Sequence, residues 1–227
     1  MHRKIACLLF CCIFITKLSA QPSDEFSKGR AFGISFGLGL SVVKVTDIVD
    51  YINLRYLPLS KLDDFTSAPE FFGGVELGVS ETWGMKLEYA YMFKSYNLGQ
   101  GLTSPDVISY GVHMPTVLIQ YLIYGQGYAV KVGGGLGYHI AILSEDYSFY
   151  GNQRYSSSGI GIKAELEGNT AFDDHLFGYI VIDIRENIMN EFKDSDGSTM
   201  LIPLKATNAR LNLFSLGLKF GFIYYIH

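Results

Sequence analysis

The feature that most limits the fold of this chain is a strict alternation of residue character at every second position. In segment 32–42 the even positions are all large and apolar, whereas the odd positions are all Gly or Ser. Successive side chains of a β-strand point to opposite faces. This period of two therefore predicts a strand with one apolar face and one face of small or polar residues.

The same alternation recurs along the chain and predicts eight strands. They are 32–42, 71–80, 84–94, 107–123, 128–142, 160–170, 176–187 and 214–224. The fourth strand is the least regular. In its first half the apolar face carries Ile108, Tyr110, Val112 and Met114, and the polar face carries Ser109, Gly111 and His113. The alternation is less clear after Pro115. Proline cannot donate to a strand ladder, so a bulge is expected there.

The connections between the predicted strands alternate in length. Short turns are expected at Ser80–Gly84, Tyr124–Gly127 and Phe172–His175, and long polar loops at 43–69, 95–106, 143–158 and 188–208. Short and long connections in turn, between strands of about ten residues with one apolar face, are typical of outer-membrane barrels. The pattern predicts an eight-stranded antiparallel up-and-down transmembrane β-barrel, with short periplasmic turns and long extracellular loops.

Aromatic residues beside the short turns fit the same interpretation, because Trp and Tyr gather at membrane–water interfaces. The expected girdle consists of Trp83, Tyr124, Tyr128, Phe172, Phe177, Tyr224 and Tyr225. The alternative architecture is a soluble, lipocalin-like barrel that carries a small apolar ligand. Such a barrel would turn its apolar face inward. Here the polar face is rich in Gly and Ser, which suits a crowded interior, and the apolar face is large and aromatic, which suits lipid.

The first twenty residues are expected to be a signal peptide. Arg3 and Lys4 precede an apolar stretch at Ile5–Ile15, and Ser19 and Ala20 provide small residues before the expected cleavage position. This order of a basic start, an apolar middle and small residues at the end is that of a secretory signal. The predicted organisation is a signal peptide at 1–20, a short periplasmic segment at 21–30 and the barrel at 31–227.

Removal of that segment changes the composition of the chain. All three cysteines, Cys7, Cys11 and Cys12, lie within it, so no disulfide is expected in the remainder. The remainder carries 15 basic and 22 acidic residues, a net charge of −7. Nucleic-acid binding depends on Lys and Arg that neutralise phosphates, so a nucleic-acid partner is not expected.

Three stretches carry a resemblance to a known family. They are Phe-Gly-Ile-Ser-Phe-Gly-Leu-Gly-Leu at 32–40, His-Met-Pro-Thr-Val-Leu-Ile-Gln-Tyr at 113–121 and Val-Gly-Gly-Gly-Leu-Gly at 132–137. They resemble the outer-membrane β-barrel proteins of Bacteroidota-type bacteria, the "porin family" that includes PorT-like secretion components. The resemblance implies an outer-membrane location, contact with outer-membrane lipid, assembly by the barrel insertion machinery, and a secretion or surface partner. It is a pattern of composition and spacing, so it transfers no functional residue.

The polar face of the predicted strands carries charges of both signs. Isolated charges in a low-dielectric interior are costly unless they are paired. Equal numbers of acidic and basic residues therefore predict an ion-pair network that fills the lumen, with a proton or ion path as the alternative. The predicted network comprises Glu76, Lys86, Glu88, Lys131, Lys163, Glu165, Glu167, Asp183, Arg185 and Lys219.

No catalytic, cofactor or metal site is predicted. His113 and His139 are expected to point inward, where an enzyme would need a nucleophile and a carboxylate beside one of them; neither is indicated, and structural histidines are favoured. The run 132–137 fails the G-x-G-x-x-G spacing of dinucleotide loops, because Tyr138 occupies the last position. Segment 194–198 lacks the later Glu of a calcium loop, since Pro203 stands there.

Two loops have features of their own. Thr46–Tyr56 is expected to form a short helix, begun by Thr46 or Asp47, with Ile48, Val49, Ile52 and Tyr56 along one side. Loop 143–158 is rich in Tyr and Ser, which are good contact residues. It is the predicted candidate for surface binding, through Tyr147, Tyr150 and Tyr155.

The sequence therefore favours a non-enzymatic outer-membrane barrel with a plugged lumen and an envelope-structural, adhesion or secretion-assembly role. Three alternatives remain open at this point: a small-solute channel, a lipid-modifying barrel enzyme and a soluble lipocalin-like carrier.

Overall fold

The computed structural model describes residues 32–56, 61–98, 107–125, 127–147 and 151–226. Its barrel strands are β1 (Phe32–Lys44), β2 (Phe65–Gly78), β3 (Trp83–Asn97), β4 (Val107–Gly125), β5 (Tyr128–Tyr147), β6 (Gly151–Ala171), β7 (Leu176–Met189) and β10 (Leu213–Ile226). A helix α1 (Thr46–Arg55) follows β1, and a small hairpin of β8 (Leu201–Ile202) and β9 (Thr207–Asn208) lies between β7 and β10. The predicted signal peptide and the segment 21–30 lie outside the described residues.

The eight barrel strands pair antiparallel with their neighbours and close into a ring in which β1 meets β10. The closing pair runs from Phe32 opposite Ile226 to Lys44 opposite Phe214. Closure satisfies every strand edge, which is what a sheet surrounded by lipid requires. The predicted eight-stranded up-and-down barrel is confirmed.

The three predicted short turns are present and are held locally. In the β6–β7 turn the Asp173 carboxylate accepts hydrogen bonds from the backbone N–H groups of His175, at 2.8 Å, and Leu176, at 2.6 Å. In the β2–β3 turn the Ser80 hydroxyl accepts from the Trp83 N–H at 3.1 Å. The β4–β5 turn places Gly127 at a φ of 79°, which a glycine adopts without a steric penalty.

The outward face of the barrel forms an apolar band of the height that a membrane requires. On β10 the band runs from Phe214 to Tyr224, with every second side chain exposed. A rise of about 3.3 Å per residue and a tilt of about 40° give the band a height of about 25 Å. Large apolar side chains exposed in a continuous ring belong against lipid.

Part of the predicted aromatic girdle lies elsewhere. Trp83, Tyr124, Tyr128, Phe172 and Tyr224 are exposed near the turn end, as expected. Phe177 and Tyr225, with 1% and 6% exposure, instead point into the lumen. Both have the inward parity of their strands, and their rings meet edge to face at 5.4 Å. The position of an aromatic residue near a turn therefore does not determine whether its side chain faces lipid or the lumen.

Strand β4 keeps one register throughout, and the predicted bulge after Pro115 is absent. His113 pairs with Ile140 and Thr116 with Gly137, which is the same offset on both sides of the proline. The faces of its first half are the reverse of those predicted, because Tyr110, Val112 and Met114 point inward while His113 points outward. The barrel interior beside this half of β4 is apolar. The inward and outward residues of β4 therefore do not differ in polarity here, as they do near the short turns.

Strands β4, β5 and β6 are longer than predicted, with 19, 20 and 21 residues. The loop predicted at 143–158 is therefore mostly strand. Above the lipid band the outward residues Ser144, Ser156 and Ser158 are polar, so the sequence loses the apolar outward face that marks a lipid-facing strand. These three strands continue the sheet beyond the membrane on the loop side.

No helix among the described residues is long and apolar enough to cross a membrane.

We expect the loop end to face the outside of the cell and the turn end to face the periplasm. The described barrel contains no cysteine, since all three lie before residue 13. Ser195→Cys, in the exposed segment between β7 and β8, should react with a membrane-impermeant maleimide on intact cells. Asp174→Cys, in the exposed β6–β7 turn, should react only after the outer membrane is permeabilised. The opposite pattern of labelling would invert the topology.

Candidate functional site

All ten residues of the predicted network lie on the inward face of the barrel, and all are buried. They come from six strands: β2, β3, β5, β6, β7 and β10. The alternation of each strand aims the charges at the barrel axis, where the narrow interior brings residues that are far apart in sequence into contact.

Glu70 on β2 also belongs to this set and was missed. Its Oε1 lies 2.5 Å from Lys219 Nζ and 3.2 Å from Arg185 Nη2, and its Oε2 accepts from the Ser41 hydroxyl at 3.3 Å. The predicted strand began one residue too late to include it. Its parity with Glu76 would have revealed its inward direction had the strand been extended. The lumen network, defined here as Glu70 with the ten predicted residues, holds six acidic and five basic side chains.

Every cation of the lumen network touches at least two carboxylates. Lys131 bridges Glu76, at 2.5 Å, and Glu167, at 2.8 Å, and Lys86 also contacts Glu167, at 2.9 Å. The chain of contacts continues through Glu165 and Glu88 to the far wall. There the remaining contacts join Lys163, Arg185 and Lys219 to Glu70, Glu88, Glu165 and Asp183.

The contacts of Asp183 show how tightly the members depend on one another. Its carboxylate lies 2.8 Å from Lys219 Nζ and 3.6 Å from both Lys163 Nζ and Arg185 Nη2. Mutual attraction offsets the cost of removing these charges from water only while all partners are in place. The network therefore behaves as a unit, and loss of one member leaves several others without a counter-charge.

Inward glycines make room for these and other large side chains. A Cβ at Gly161 would stand 1.9 Å from the His139 ring, and one at Gly221 would stand 2.6 Å from the Tyr179 ring. At Gly37 it would meet the Phe72 ring at 2.5 Å. The space that each glycine leaves is thus taken by a side chain of another strand.

The two histidines lie on opposite faces of the barrel wall. His139 points inward as predicted and is fully buried, with Nδ1 2.9 Å from Asn187 Oδ1 and Nε2 3.3 Å from the Thr116 hydroxyl. His113 was predicted inward but points outward, where its Nδ1 lies 2.6 Å from the Tyr89 hydroxyl. The reversal follows from the unbroken register of β4.

Above the lumen network the interior becomes apolar and is covered by α1. The helix lies where it was predicted, although no side chain caps its N-terminus. Its Ile48, Val49 and Ile52 are completely buried, together with inward residues of β3, β4 and β5 that include Met92, Val112, Ala141 and Leu143. An apolar helix face thus meets an apolar upper wall, which explains why β4 turns its apolar residues inward.

Polar contacts fasten α1 to the barrel rim. Glu145, buried on β5, accepts from the hydroxyls of Tyr56, at 3.2 Å, and Tyr147, at 3.1 Å. Arg55 donates to the Tyr51 hydroxyl at 2.5 Å, and its guanidinium lies over the Tyr51 and Tyr56 rings. Burial, and next the Glu145 charge, raise the pKa of Tyr51, so this hydroxyl stays protonated.

The β8–β9 hairpin covers α1 from the other side. Lys205, in the hairpin turn, pairs with Asp50 of the helix, and the Arg210 N–H donates to Asp47 at 3.2 Å. The helix and the hairpin together form the loop-end cap, defined as residues 46–55 and 199–211.

The predicted surface-binding tyrosines do not share one exposed loop. Tyr147 ends β5 and hydrogen-bonds Glu145 and Tyr56 at the rim. Tyr155 lies on β6, points inward and is buried. Tyr150 lies outside the described residues. Tyr147 and Tyr155 both have the inward parity of their strands, so neither lies on an exposed loop.

Within the described segments, His, Cys, Asp and Glu side chains form no group that could hold a metal ion. Each carboxylate of the lumen network instead faces a Lys or an Arg.

The barrel is similar to solved structures of bacterial outer-membrane proteins. Neisserial surface protein A superposes with a TM-score of 0.55 at 10% identity, over 86% of this chain and 97% of that one. Ail, the attachment invasion locus protein of Yersinia pestis, gives 0.48 at 13% identity, over 86% and 99%. OprG of Pseudomonas aeruginosa gives 0.48 at 15% identity, over 87% and 96%. No protein-family model matches the chain, and no curated protein matches it in sequence.

The fold, the closed ring of strands and the exposed apolar band all belong to a barrel that spans the outer membrane. The protein is an outer-membrane β-barrel. At 10% identity, the likeness to the neisserial protein extends to the fold alone.

We expect Arg185→Ala to destabilise the protein strongly. It would leave the buried carboxylates of Glu70 and Asp183 short of a counter-charge, at a cost of about 3–5 kcal/mol. Arg154→Ala removes the same side chain from an exposed position of β6 and should change stability by less than about 0.5 kcal/mol. Thermal unfolding of both variants in detergent, followed by the loss of heat-modifiable gel migration, measures the difference. Equal unfolding temperatures of the two variants would mean that the stability of the barrel does not depend on the ion pairs of Arg185.

Ile52→Asp should detach α1 without opening the barrel. It places a carboxylate among buried apolar side chains of the cap, where an unpaired charge is costly. Added protease should then cleave within 46–56 on intact cells, while heat-modifiable migration persists. Lys61→Asp, at an exposed position before β2, is the control and should stay resistant. Resistance of both variants would show that the helix does not depend on this contact.

Proposed function

We propose that this protein is a non-enzymatic outer-membrane barrel with a closed lumen, which anchors a structured extracellular platform for adhesion, envelope structure or assembly with a secretion partner. The observation that carries the closed lumen is the occupation of the inward glycines. Side chains of other strands fill the space at Gly37, Gly161 and Gly221. Eight strands leave an interior only just wide enough for side chains to fill.

Two layers of different chemistry support the closure. The lumen network spans the middle of the barrel with paired charges, and the apolar layer under α1 lies above it. An ion that entered from the loop end would have to displace the helix, and it would then meet side chains already engaged with one another. A conducting pore needs a continuous wetted path, which this packing opposes.

The platform is the loop-end cap together with the ends of β4, β5 and β6 that extend beyond the lipid band. Its most exposed apolar residue is Leu204, 91% exposed at the tip of the β8–β9 hairpin. Leu204 and Ala206 have φ angles of 65° and 51°, which non-glycine residues adopt at a cost. A strained turn that presents a leucine to solvent suits contact with a partner surface.

The non-enzymatic part of the proposal rests on the surroundings of the two histidines. His139 meets a threonine hydroxyl and an asparagine amide, but it is fully buried and the Gly161 backbone packs against its ring. A lipid substrate would have to pass through the barrel wall to reach it. His113 is outward, with Tyr89 and Tyr91 as its aromatic neighbours. Neither arrangement offers an accessible nucleophile with its base.

The finer assignment to PorT-like barrels of Bacteroidota-type bacteria belongs to the same proposal. Its support is the resemblance of the segments 32–40, 113–121 and 132–137, and it favours secretion assembly among the three roles.

We expect purified protein reconstituted in a planar bilayer to give no steady ion current at either polarity. The packed lumen leaves no wetted path, so current should remain at the level of the lipid alone. An open porin inserted under the same conditions is the control for the assay, and heat-modifiable migration confirms that the protein is folded. A reproducible, voltage-independent conductance would make the small-solute channel the better assignment.

The platform role can be tested at the hairpin tip. A photo-crosslinking amino acid at position 204 should form adducts with an envelope or surface protein in living cells, because Leu204 projects from the cap. The same amino acid at Lys61, exposed before β2, is the matched control and should form few. Crosslinking that does not differ between the two positions would remove the tip from the proposal.

A further inference from the structure

A one-residue bulge follows β7 where the chain leaves the lipid band. Gly159 pairs with Met189, and the Asn190 N–H donates to the Ser158 carbonyl at 2.9 Å in the same register. The next bridge joins Ser156 to Lys193, not to Phe192. Between these two pairings the segment after β7 therefore has one residue more than β6. Bulges of this kind redirect side chains and are frequent at barrel rims.

The bulge exchanges the faces of two residues. Phe192 would share the outward parity of Ile188 if the register continued, yet it is completely buried beneath the cap. Lys193 instead lies beside Ser156, which points outward, and it is exposed. The insertion thus buries a phenylalanine and at the same time places an ammonium group on the outer surface.

Lys193 is part of a groove on the outer wall of β5, β6 and the segment after β7. The groove has a volume of about 750 Å³ and combines hydroxyl, amide and cationic groups, from Tyr138, Ser156, Ser158, Asn190, Lys193 and Arg210. Its polar groups are held in place: the Tyr138 hydroxyl donates to Ser158 Oγ at 2.7 Å, and Asn190 Nδ2 donates to the Ser158 carbonyl at 2.7 Å.

The groove lies at the upper edge of the lipid band. Ile140 forms part of its wall, and Ile140, Ile160 and Ile188 are exposed on the same side of the barrel. A molecule in this groove would have its polar part among the hydroxyl and cationic groups and its apolar part along these isoleucines. That is the geometry of a lipid headgroup, not of a ligand free in solution.

The charge of the groove is positive. Glu191 also lines it, and its carboxylate lies 3.1 Å from Arg210 Nη2. Hydrogen bonds from Asn208 and Arg210 hold the pKa of Glu191 below its usual value, so it stays ionised and offsets one cation. Lys193 adds a second cation, so two cations and one carboxylate line the groove.

We propose that this groove binds the phosphorylated headgroup of a glycolipid in the outer leaflet of the outer membrane. Lys193 and Arg210 meet the phosphate, and the hydroxyls of Tyr138, Ser156 and Ser158 with the Asn190 amide meet the sugar. The acyl chains follow the exposed isoleucines below. The proposal concerns the outer wall, so it does not depend on whether the lumen is closed.

The test is equilibrium binding of fluorescent, bisphosphorylated lipid A to the folded protein in detergent micelles. Lys193→Gln combined with Arg210→Gln should weaken binding by about tenfold or more, since the variant loses both basic residues that attract the anionic lipid. Glu191→Gln should strengthen binding, because it removes the opposing charge. Lys61→Gln removes one exposed charge before β2 and should leave affinity unchanged. Heat-modifiable migration verifies that each variant is folded.

Two further binding measurements identify the ligand. Dephosphorylated lipid A should bind weakly, and inorganic phosphate at the same concentration should not displace the labelled lipid. Equal binding of the dephosphorylated lipid would overturn phosphate recognition. Displacement by inorganic phosphate would assign the groove to a free anion instead of a lipid. A double variant that binds like Lys61→Gln would remove the groove from the interaction altogether. A Glu191→Gln variant that binds more weakly than the unchanged protein would overturn recognition of the lipid by the positive charge of the groove.

Discussion

The interior of this barrel is organised by the cost of burying charge. Eleven acidic and basic side chains occupy a space surrounded by protein and then lipid, where each is almost completely buried. Each must therefore meet groups of opposite sign, and Asp183 meets three cations within 4 Å because a single pair would not compensate for its desolvation. This requirement fixes the rotamers of the lumen network. It also makes the inward glycines necessary, since the long side chains need room.

The apolar layer at the loop end follows from the same constraint. Once charges fill the middle of the barrel, the upper interior can be closed by hydrophobic contact, and α1 supplies the matching face through Ile48, Val49 and Ile52. The inward apolar residues of β4 serve this contact, and β8–β9 secures the helix from outside. The bulge after β7 serves the same arrangement. It buries the Phe192 side chain beneath the loop-end cap and places Lys193 on the outer surface of the barrel.

Much of the barrel could be predicted from the sequence because lipid imposes an extreme contrast between the two faces of each strand. Where that contrast held, as on β1 and β10, both the strand and its direction were predicted correctly. Where it vanished, the prediction was incomplete or wrong. The upper halves of β5 and β6 are polar on their outward side and were taken for loop, and Glu70 was missed because the prediction began its own strand, β2, at residue 71. His113 was assigned to the wrong face because the interior beside it is apolar.

The sequence by itself determined the strand count, the order of short and long connections and the burial of most of the charges, since each follows from a local period of two. Only the tertiary structure decided which charges pair, because the partners of Arg185 lie on β2, β3 and β7 and come together through the curvature of the ring. It also decided that α1 covers the upper opening and that Lys193 and Arg210 share one outer groove. Those outcomes depend on register and closure, which are properties of all eight strands together and leave no local mark in the chain.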